Sequence, residues 1–419
     1  MEKLIFIYQK IDLKWVADIV SLLKGKYHIH CFEITDDETD FEEIKQKVRL
    51  FLNNFGPGYI YGYGLGGNLA LSVALEDEHH IKGIITQATK FDLSNFSKDS
   101  LQKLTVPFRF TRGGKDKFTS KKNTLSVQKH IQHSYYFEIP SMAHSLEDIP
   151  PKHIARLLQV QLESFHYEWV DTDYGKMAYR KYGFPAQKNE PVVLFLHEAI
   201  GSISQWQDFP ARLCDALNLP GIAIEFPGYG FSDNEDKVRD ENYLHEFALA
   251  YLPSFLKAIQ IDQPLIIVGH SDGGTNALLY SSKHPENVHS IITLAAHYLN
   301  EPETRSGIQP AIDAYRAGKL KGLEFYHGEK TERLFFAWAN TWNLPNFENW
   351  NISSDIKNNT VRALIIQGDK DQYGTDNQVH GIVKLLKNAD SLFINNCGHA
   401  PHLEKEEEVI QAIQSFVHR

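Results

Sequence analysis

The chain has 419 residues, 42% apolar and 23% charged, with 27 Gly and 17 Pro, which is the composition of a folded globular protein and excludes disorder and low complexity. Its formal charge is −10 and no strongly basic run stands out, so we expect neither a nucleic-acid nor an anionic-membrane partner. No apolar run approaches the ~20 residues that span a bilayer, and the first residues lack a signal-peptide core. Cys31, Cys214 and Cys397 are odd in number and widely separated, so they indicate neither a disulfide framework nor a zinc ribbon. Because domains run to roughly 100–200 residues, we expect a cytoplasmic protein of two domains.

The first part of the chain alternates short runs of β-branched and aromatic residues with amphipathic stretches. A helix is predicted after Pro151, because apolar residues recur there at helical spacing as far as Phe165. Strands are predicted at 4–8, 59–62, 83–86 and 106–110.

The second part opens with two strand-like runs around Asp173-Tyr174-Gly175, the pattern of a hairpin. Its last helix is predicted near the C-terminus, at 409–417. Further strands are predicted at 192–197, 222–226, 265–269, 290–296 and 363–368. Strands that are apolar throughout and separated by helices are typical of a parallel sheet in an α/β fold. We place a boundary near residue 166, which gives domains at 1–165 and 166–419.

An internal repeat supports this boundary. Residues 269–274 read Gly-His-Ser-Asp-Gly-Gly and residues 62–67 read Gly-Tyr-Gly-Leu-Gly-Gly, each after a predicted strand and before a helix-like stretch. The tripeptide Ile-Ile-Thr begins 20 residues after the third position of each motif. The chain is therefore interpreted as a tandem duplication of one α/β unit, with a mostly parallel sheet flanked by helices in each copy.

The repeat continues through an aspartate and a histidine. Asp116 precedes His144 by 28 residues, and Asp371 precedes His399 by the same distance. The second copy has about 48 extra residues before its aspartate. The extra residues are predicted to form a helical insertion at about 297–355.

The Gly-x-Ser-x-Gly motif around Ser271 has the spacing of a nucleophile elbow, in which a sharp strand-to-helix turn exposes the serine hydroxyl. Serine is a weak nucleophile at neutral pH, so it needs a base and a carboxylate that orients the base. We predict His399 as the base and Asp371 as its carboxylate. The neighbouring Asp369 is the competing candidate. In the first copy Gly64 stands at the nucleophile position, so that elbow cannot perform covalent catalysis.

These motifs resemble the α/β-hydrolase superfamily. Residues 196–206 stand where that family has its oxyanion loop, residues 226–233 match its turn after the next strand, and the resemblance covers 168–419. It implies an oxyanion hole built from the backbone N–H groups of Ala199 and Asp272. It also implies that the insertion is a lid over the nucleophile. Because Gly64 replaces the nucleophile, the first copy is interpreted as a degenerate hydrolase domain that serves as a scaffold, with allosteric or ligand-binding use as the alternative.

Glu198 departs from the family pattern, which usually has glycine there. A carboxylate that points inward would oppose an oxyanion, so the simplest interpretation has Glu198 facing outward and pairing with a surface cation. The predicted substrate-binding residues are Glu198 on this loop and Trp338 and Trp342 in the lid. His270 is interpreted as a packing and hydrogen-bonding residue in preference to a second base, and His402 as a structural residue. Cys397 is interpreted as a buried, inert thiol.

The leading hypothesis is a serine hydrolase that cleaves a carboxylic ester or related acyl bond of a small-to-medium apolar substrate. Alternatives on the same triad are a C–C bond hydrolase and an acyltransferase. A further alternative is a ligand-binding protein that does not turn over, which the acidic residues Glu198 and Asp272 keep open. We predict a small-molecule substrate, no metal and no cofactor; the sequence assigns no oligomeric state.

Overall fold

A computed structural model describes residues 1–9, 11–34, 38–92, 94, 96–147, 149–187 and 190–419. The chain divides into two compact units. The first contains Met1–Phe165 and Lys321–Glu329, and the second contains His166–Leu320 and Lys330–Arg419. In the described part of the chain, no helix combines the length and apolarity needed to cross a membrane.

The first unit is built on a parallel sheet of six strands. They lie in the order β2-β1-β3-β4-β5-β6, and each pairs with its neighbours in parallel. The strands are β1 Glu2–Gln9, β2 Tyr27–Ile34, β3 Gly58–Tyr63, β4 Ile81–Gln87, β5 Phe108–Gly113 and β6 Ser134–Ile139. The helices are α1 Leu13–Leu23, α2 Glu38–Phe55, α3 Leu65–Glu76, α4 Lys98–Gln102, α5 Lys121–Gln128 and α6 Pro151–Glu163.

The second unit is built on a sheet of eight strands in the order β14-β13-β12-β11-β9-β10-β8-β7. Strand β8 pairs antiparallel with both of its neighbours, β7 and β10, and the predicted hairpin at 173–175 joins β7 to β8. The other neighbouring strands of this sheet pair in parallel. The strands are β7 Tyr167–Thr172, β8 Gly175–Tyr182, β9 Val192–Leu196, β10 Gly221–Ile224, β11 Leu265–His270, β12 Val288–Leu294, β13 Arg362–Gly368 and β14 Ala389–Ile394. The prediction of an α/β fold with a mostly parallel sheet and flanking helices is confirmed.

Helices alternate with these strands along the chain. They are α7 Phe209–Leu217, α8 Tyr243–Glu246, α9 Leu252–Ala258, α10 Asp272–Lys283, α11 Pro302–Arg316, α12 Glu324–His327, α13 Thr331–Trp342, α14 Ser353–Ile356, α15 Asp376–Leu385, α16 Pro401–Glu404 and α17 Glu406–Val417. Helix α12 belongs to the first unit. There the Glu324 carboxylate accepts hydrogen bonds from the backbone N–H and the hydroxyl of Ser141, the latter at 2.6 Å.

Glycines let the chain double back at one strand-to-helix turn in each unit. A Cβ on Gly269 would lie 2.1 Å from the Gly273 carbonyl oxygen, and a Cβ on Gly62 would lie 2.4 Å from the Gly66 carbonyl oxygen. Real Cβ atoms are not found at such distances, so both turns require glycine at these positions.

Candidate active site

Ser271 alone forms the turn between β11 and α10. Its φ of 51° and ψ of −117° lie in a region that costs a non-glycine residue about 1–2 kcal/mol. The Ser271 N–H donates to the Leu294 carbonyl at 2.8 Å, which ties the turn to β12. A Cβ on Gly273 would lie 2.0 Å from the Leu196 carbonyl oxygen, so the start of α10 approaches β9 closely. The spacing of glycines around Ser271 therefore follows from the packing of this turn.

The structure brings Ser271, His399 and Asp371 together. His399 Nε2 lies 3.0 Å from Ser271 Oγ, and His399 Nδ1 lies 2.8 Å from Asp371 Oδ1. The carboxylate fixes the tautomer, because Nδ1 must carry a proton to donate to it, which leaves Nε2 free to accept the serine proton. The three side chains follow the ends of β11, β13 and β14, which lie at the same edge of the sheet.

The Asp371 carboxylate is buried and held by two donors. Burial alone would raise its pKa, but the hydrogen bond and charge of His399 outweigh this effect and lower it. The backbone N–H of Tyr373 adds a hydrogen bond of 2.9 Å. The competing candidate Asp369 lies elsewhere, because its Oδ1 accepts from the Cys397 N–H at 3.3 Å.

Ala199 and Asp272 line the same cavity as Ser271. The first N–H of a helix has no acceptor within the helix, which leaves the Asp272 group free to bind a ligand at the positive end of α10. In the described part of the chain, neither N–H donates to a protein acceptor. The two donors are therefore available for an oxygen anion near Ser271.

The cavity next to Ser271 has a volume of about 290 Å³. Trp338 and Trp342 of α13 line it, together with His297 and Tyr373. The polar lining also includes Gln205, Thr304, Gln372 and Glu404. This mixture of aromatic walls and a few polar groups is typical of a small-molecule pocket.

Glu198 does not pair with a surface cation, so the interpretation that it faces outward is wrong. Its Oε2 lies 3.3 Å from His270 Nδ1, and the residue lines the cavity. Burial would raise the pKa of the carboxyl, but the hydrogen bond and charge of His270 lower it to about 2. The physical reason is the tertiary contact with His270, whose buried ring lies within reach of the turn after β9.

A chain of two aromatic hydrogen-bond donors leads to the Asp272 carboxyl. The Tyr243 hydroxyl donates to its Oδ2 at 2.5 Å and accepts a hydrogen bond from Trp342 Nε1 at 2.7 Å. Burial raises the Asp272 pKa to about 6, although the Tyr243 hydrogen bond and the charge of Arg239 oppose this rise. Tyr243 therefore holds the side chain of Asp272, the first residue of α10.

The sequence did not predict three residues near the site, which are Tyr243, His297 and Tyr373. Tyr243 lies on a different element, and nothing in the local sequence links it to the elbow. His297 Nε2 donates to the Tyr373 carbonyl at 3.1 Å, and burial lowers the His297 pKa to about 4. Tyr373 could have been found, because it follows Asp371 by two residues.

Two further candidates lie near the site without taking part in it. His402 is buried and its ring packs against Trp206, with centroids 4.7 Å apart. Burial raises the pKa of the Cys397 thiol to about 11, so the reactive thiolate is disfavoured. In the described residues no group of three or more His, Cys, Asp or Glu side chains could hold a metal ion.

The first unit holds a histidine–aspartate pair beside its own elbow. His144 Nδ1 lies 3.0 Å from Asp116 Oδ2, and Thr119 Oγ1 donates to the same oxygen at 2.5 Å. Burial raises the Asp116 pKa, but these hydrogen bonds outweigh it and lower the pKa overall. Gly64 occupies the turn, with a φ of 59° and a ψ of −121°.

The family model of the alpha/beta hydrolase family matches residues 193–412, more than half of the chain. The chain belongs to the alpha/beta hydrolase family. Its similarity to the alpha/beta hydrolase domain-containing protein VTE7 of Arabidopsis thaliana is 27% identity over 54% of this chain and 73% of that protein. Its similarity to the 2-hydroxy-6-oxo-6-(2'-aminophenyl)hexa-2,4-dienoic acid hydrolase of Metapseudomonas resinovorans is 23% identity, covering 56% of this chain and 86% of that protein.

The fold of this hydrolase also resembles solved structures. A bacterial membrane phospholipase A superposes with a TM-score of 0.51 at 20% identity, covering 64% of this chain and 91% of that chain. Family membership and relatives named as hydrolases together support a hydrolase.

Proposed function

We propose that this hydrolase cleaves a carboxylic ester or related acyl bond through Ser271, His399 and Asp371. The observation that carries the proposal is the continuous contact from Asp371 through the His399 ring to Ser271 Oγ, with distances of 2.8 and 3.0 Å. Nucleophile, base and orienting carboxylate then stand in the order that acyl transfer requires.

In the proposed reaction, Ser271 Oγ attacks the carbonyl carbon while His399 Nε2 takes its proton. The carbonyl oxygen becomes an anion, to which the N–H groups of Ala199 and Asp272 donate; one such donor contributes about 2.7–4 kcal/mol in other enzymes. The tetrahedral intermediate expels the alcohol, which receives the proton from His399. Water then attacks the acyl-enzyme by the same path, releasing the acid and restoring Ser271.

The cavity supports a small-to-medium apolar acyl group. Its volume of about 290 Å³ and the rings of Trp338 and Trp342 leave room for a short chain or a single ring. We assign residues 297–355 as a lid, because α11 and α13 lie in this insertion and α13 carries both tryptophans.

C–C bond hydrolysis is the second candidate, favoured by the similarity to the hexa-2,4-dienoic acid hydrolase. Both reactions release a carboxylic acid from the acyl-enzyme. They differ in the leaving group, which is an alcohol for an ester and a group protonated at carbon, such as a ketone, for C–C cleavage. Product analysis separates the two reactions.

We further propose that the first unit is a copy of the second that has lost its nucleophile and serves as a scaffold. Its strand order β2-β1-β3-β4-β5-β6 has the same pattern as β10-β9-β11-β12-β13-β14. The contact between Asp116 and His144 parallels that between Asp371 and His399. Without an oxygen or sulfur at Gly64 the pair has no group to activate.

The test is labelling with a fluorophosphonate probe, followed by a panel of p-nitrophenyl esters, thioesters and lactones. We expect the wild type to be labelled at Ser271 and to hydrolyse short acyl esters, and Ser271→Ala to lose both properties. Absence of labelling in folded wild-type protein would overturn the proposal, and ligand-induced stabilisation without turnover would favour a binding protein.

A further inference from the structure

His270, the last residue of β11, has an acceptor at each ring nitrogen. Its side chain is 5% exposed, Nδ1 lies 3.3 Å from Glu198 Oε2, and Nε2 lies 2.8 Å from the backbone carbonyl oxygen of His399. A carbonyl oxygen can only accept, so Nε2 must carry a proton. The contact at Nδ1 needs a second proton, placed on the ring or on the Glu198 carboxyl.

The proton between His270 and Glu198 belongs on the ring. The Glu198 side chain is 22% exposed, so water still reaches the carboxyl and favours its ionised form. Burial opposes charge on His270, but the hydrogen bond to Glu198 and its negative charge outweigh burial and raise the His270 pKa. The two ring contacts are satisfied together by an imidazolium beside a carboxylate.

The other buried histidines nearby do not compete for this charge. Burial lowers the pKa of His197 to about 4 and that of His402 well below its usual value. The titratable groups that interact with His270 come from the turn after β9, the start of α10 and the segments after β13 and β14. They are His197, Glu198, Asp272, Asp371, His399 and His402.

The turn that carries Glu198 is built around its carboxylate. A Cβ on Gly201 would lie 2.4 Å from Glu198 Oε2, so the carboxylate packs directly against the backbone of Gly201. The Glu198 carbonyl accepts from the Gly201 N–H at 3.0 Å and faces His197 Nδ1 at 2.8 Å. The same turn contains Ala199, which borders the cavity.

We propose that Glu198 and a doubly protonated His270 form a charged positioning pair, which joins the turn of Ala199 to the backbone of His399. The proposal rests on the proposed function, because positioning matters only where His399 acts as the base. The pair gives Glu198 a positioning role within the site, in place of the expected contact with a surface cation. Loss of the proton at Nδ1 of His270 breaks the contact with Glu198, so the turn of Ala199 is no longer tied to the backbone of His399.

This pair predicts an alkaline decline in kcat/KM. His270 must hold its second proton for both contacts to persist, so activity should fall as pH rises through the His270 pKa. Glu198→Gln keeps an oxygen at hydrogen-bond distance but removes the charge that supports the imidazolium. Opposite charges at such distances shift pKa values by about 1–3 units, so the decline should begin at least about one pH unit lower in this variant.

The experiment combines kcat/KM profiles between pH 5 and 10 with NMR titration of ¹³C-labelled histidine, the His270 signal being assigned by its loss in His270→Gln. We expect His270 to titrate above its usual 6.5 in the wild type and lower in Glu198→Gln. At a pH between the His270 midpoints of the wild type and the variant, the variant should lose about tenfold in kcat/KM, since small displacements of catalytic groups cost up to about 10²-fold. Glu407→Gln, which changes a 65% exposed carboxylate, is the matched control and should behave as the wild type.

A wild-type His270 that titrates at or below 6.5, or a titration unchanged by Glu198→Gln, would overturn the pair. The NMR titration needs no turnover, so it decides the point even where Ser271 proves inactive. Fluorophosphonate labelling of Ser271 decides the proposed function separately. If Glu198→Gln fails to fold, as judged by circular dichroism, the wild-type titration alone carries the test.

Discussion

Gly64 and Ser271 share one backbone conformation, with φ and ψ of 59° and −121° at the glycine and 51° and −117° at the serine. The Gly64 N–H donates to the Gln87 carbonyl at 3.0 Å, as the Ser271 N–H donates to Leu294 at 2.8 Å. Glycine adopts a positive φ without steric cost, whereas serine does not. Of these two turns, the one that carries a hydroxyl is therefore the one with an L-residue in this strained conformation.

This relationship predicts that Gly64→Ser creates a second nucleophile. A Cβ at Gly64 would meet no atom within 4 Å, and His144 with Asp116 stands at the same edge of the sheet. In the background Ser271→Ala we expect slow fluorophosphonate labelling at position 64. Unfolding free energy should fall by about 1–2 kcal/mol because of the positive φ.

The controls for this prediction are Gly64→Ala, which carries the same strain without an oxygen, and His144→Ala in the Gly64→Ser background. Both should remain unlabelled. A folded Gly64→Ser variant that is labelled no faster than Gly64→Ala would contradict the proposed kinship of the two turns.

Asp369 and Asp371, which are separated by one residue, provide a matched pair of substitutions for testing the triad. Asp371 contacts His399 at 2.8 Å, whereas Asp369 accepts from the Cys397 N–H. We expect Asp371→Asn to lower kcat by about 10³–10⁴-fold, because the wrong histidine tautomer is then favoured; the trypsin triad sets this scale. Asp369→Asn should stay within tenfold of the wild type. Equal losses in the two variants, measured on one p-nitrophenyl ester, would remove Asp371 from its proposed role.

The buried carboxyl of Asp272 should make stability depend on pH. Its pKa is raised from 3.8 to about 6, mainly by burial, so between these values the folded state binds more protons than the unfolded state. The free energy of unfolding therefore falls as pH rises from about 4 to 6. Asp272→Asn should remove about 2–3 kcal/mol of this fall, since each pKa unit corresponds to about 1.4 kcal/mol.

Urea unfolding at pH 4 and pH 7.5 gives the change in unfolding free energy between the two pH values. The effect is the difference in this change between the variant and the wild type. Asp390→Asn serves as the control, because the Asp390 side chain is 54% exposed. If Asp272→Asn has the same pH dependence as the wild type, Asp272 is already ionised in the folded protein without penalty.

Substitutions of the two cavity tryptophans should have different effects, one on substrate specificity and the other on stability. Trp338 is partly buried and lines the cavity, whereas Trp342 is 2% exposed and donates to Tyr243. Trp338→Ala should raise the ratio of kcat/KM for hexanoate over acetate esters about tenfold, because pocket volume discriminates by about 1–3 kcal/mol per methylene. Trp342→Ala should instead lower the unfolding free energy by about 3–5 kcal/mol. An unchanged ratio in Trp338→Ala would place the acyl group elsewhere.

The sequence revealed the central strands of both sheets and missed β2, β6 and β14. Each of these three lies at the end of its sheet in the strand order. An edge strand buries little of its surface, so polar residues interrupt its apolar run, as in Tyr27–Ile34, where buried and exposed side chains are mixed. A search for continuous apolar runs finds strands with two covered faces and passes over such edges.

The site could be predicted as far as its residues belong to local motifs. Ser271 and its glycines follow from one turn, and the spacing shared with the first copy selected Asp371 over Asp369. The environment of Glu198 and Asp272 could not be predicted, because His270 and Tyr243 meet them through the tertiary fold. The direction of a side chain on a loop depends on its tertiary contacts, which the local sequence does not reveal.

Helix α12 and its flanking residues, Lys321–Glu329, lie in the first unit, although the chain on both sides of them lies in the second. The boundary at Phe165 is therefore one of three places where the chain passes from unit to unit. A fragment of residues 1–165 lacks the Glu324 carboxylate that Ser141 contacts, and a fragment of 166–419 carries it without that partner. Cut at this boundary, the protein would yield complementary halves of the kind used in split-protein assays, neither of which contains a whole copy of the first unit.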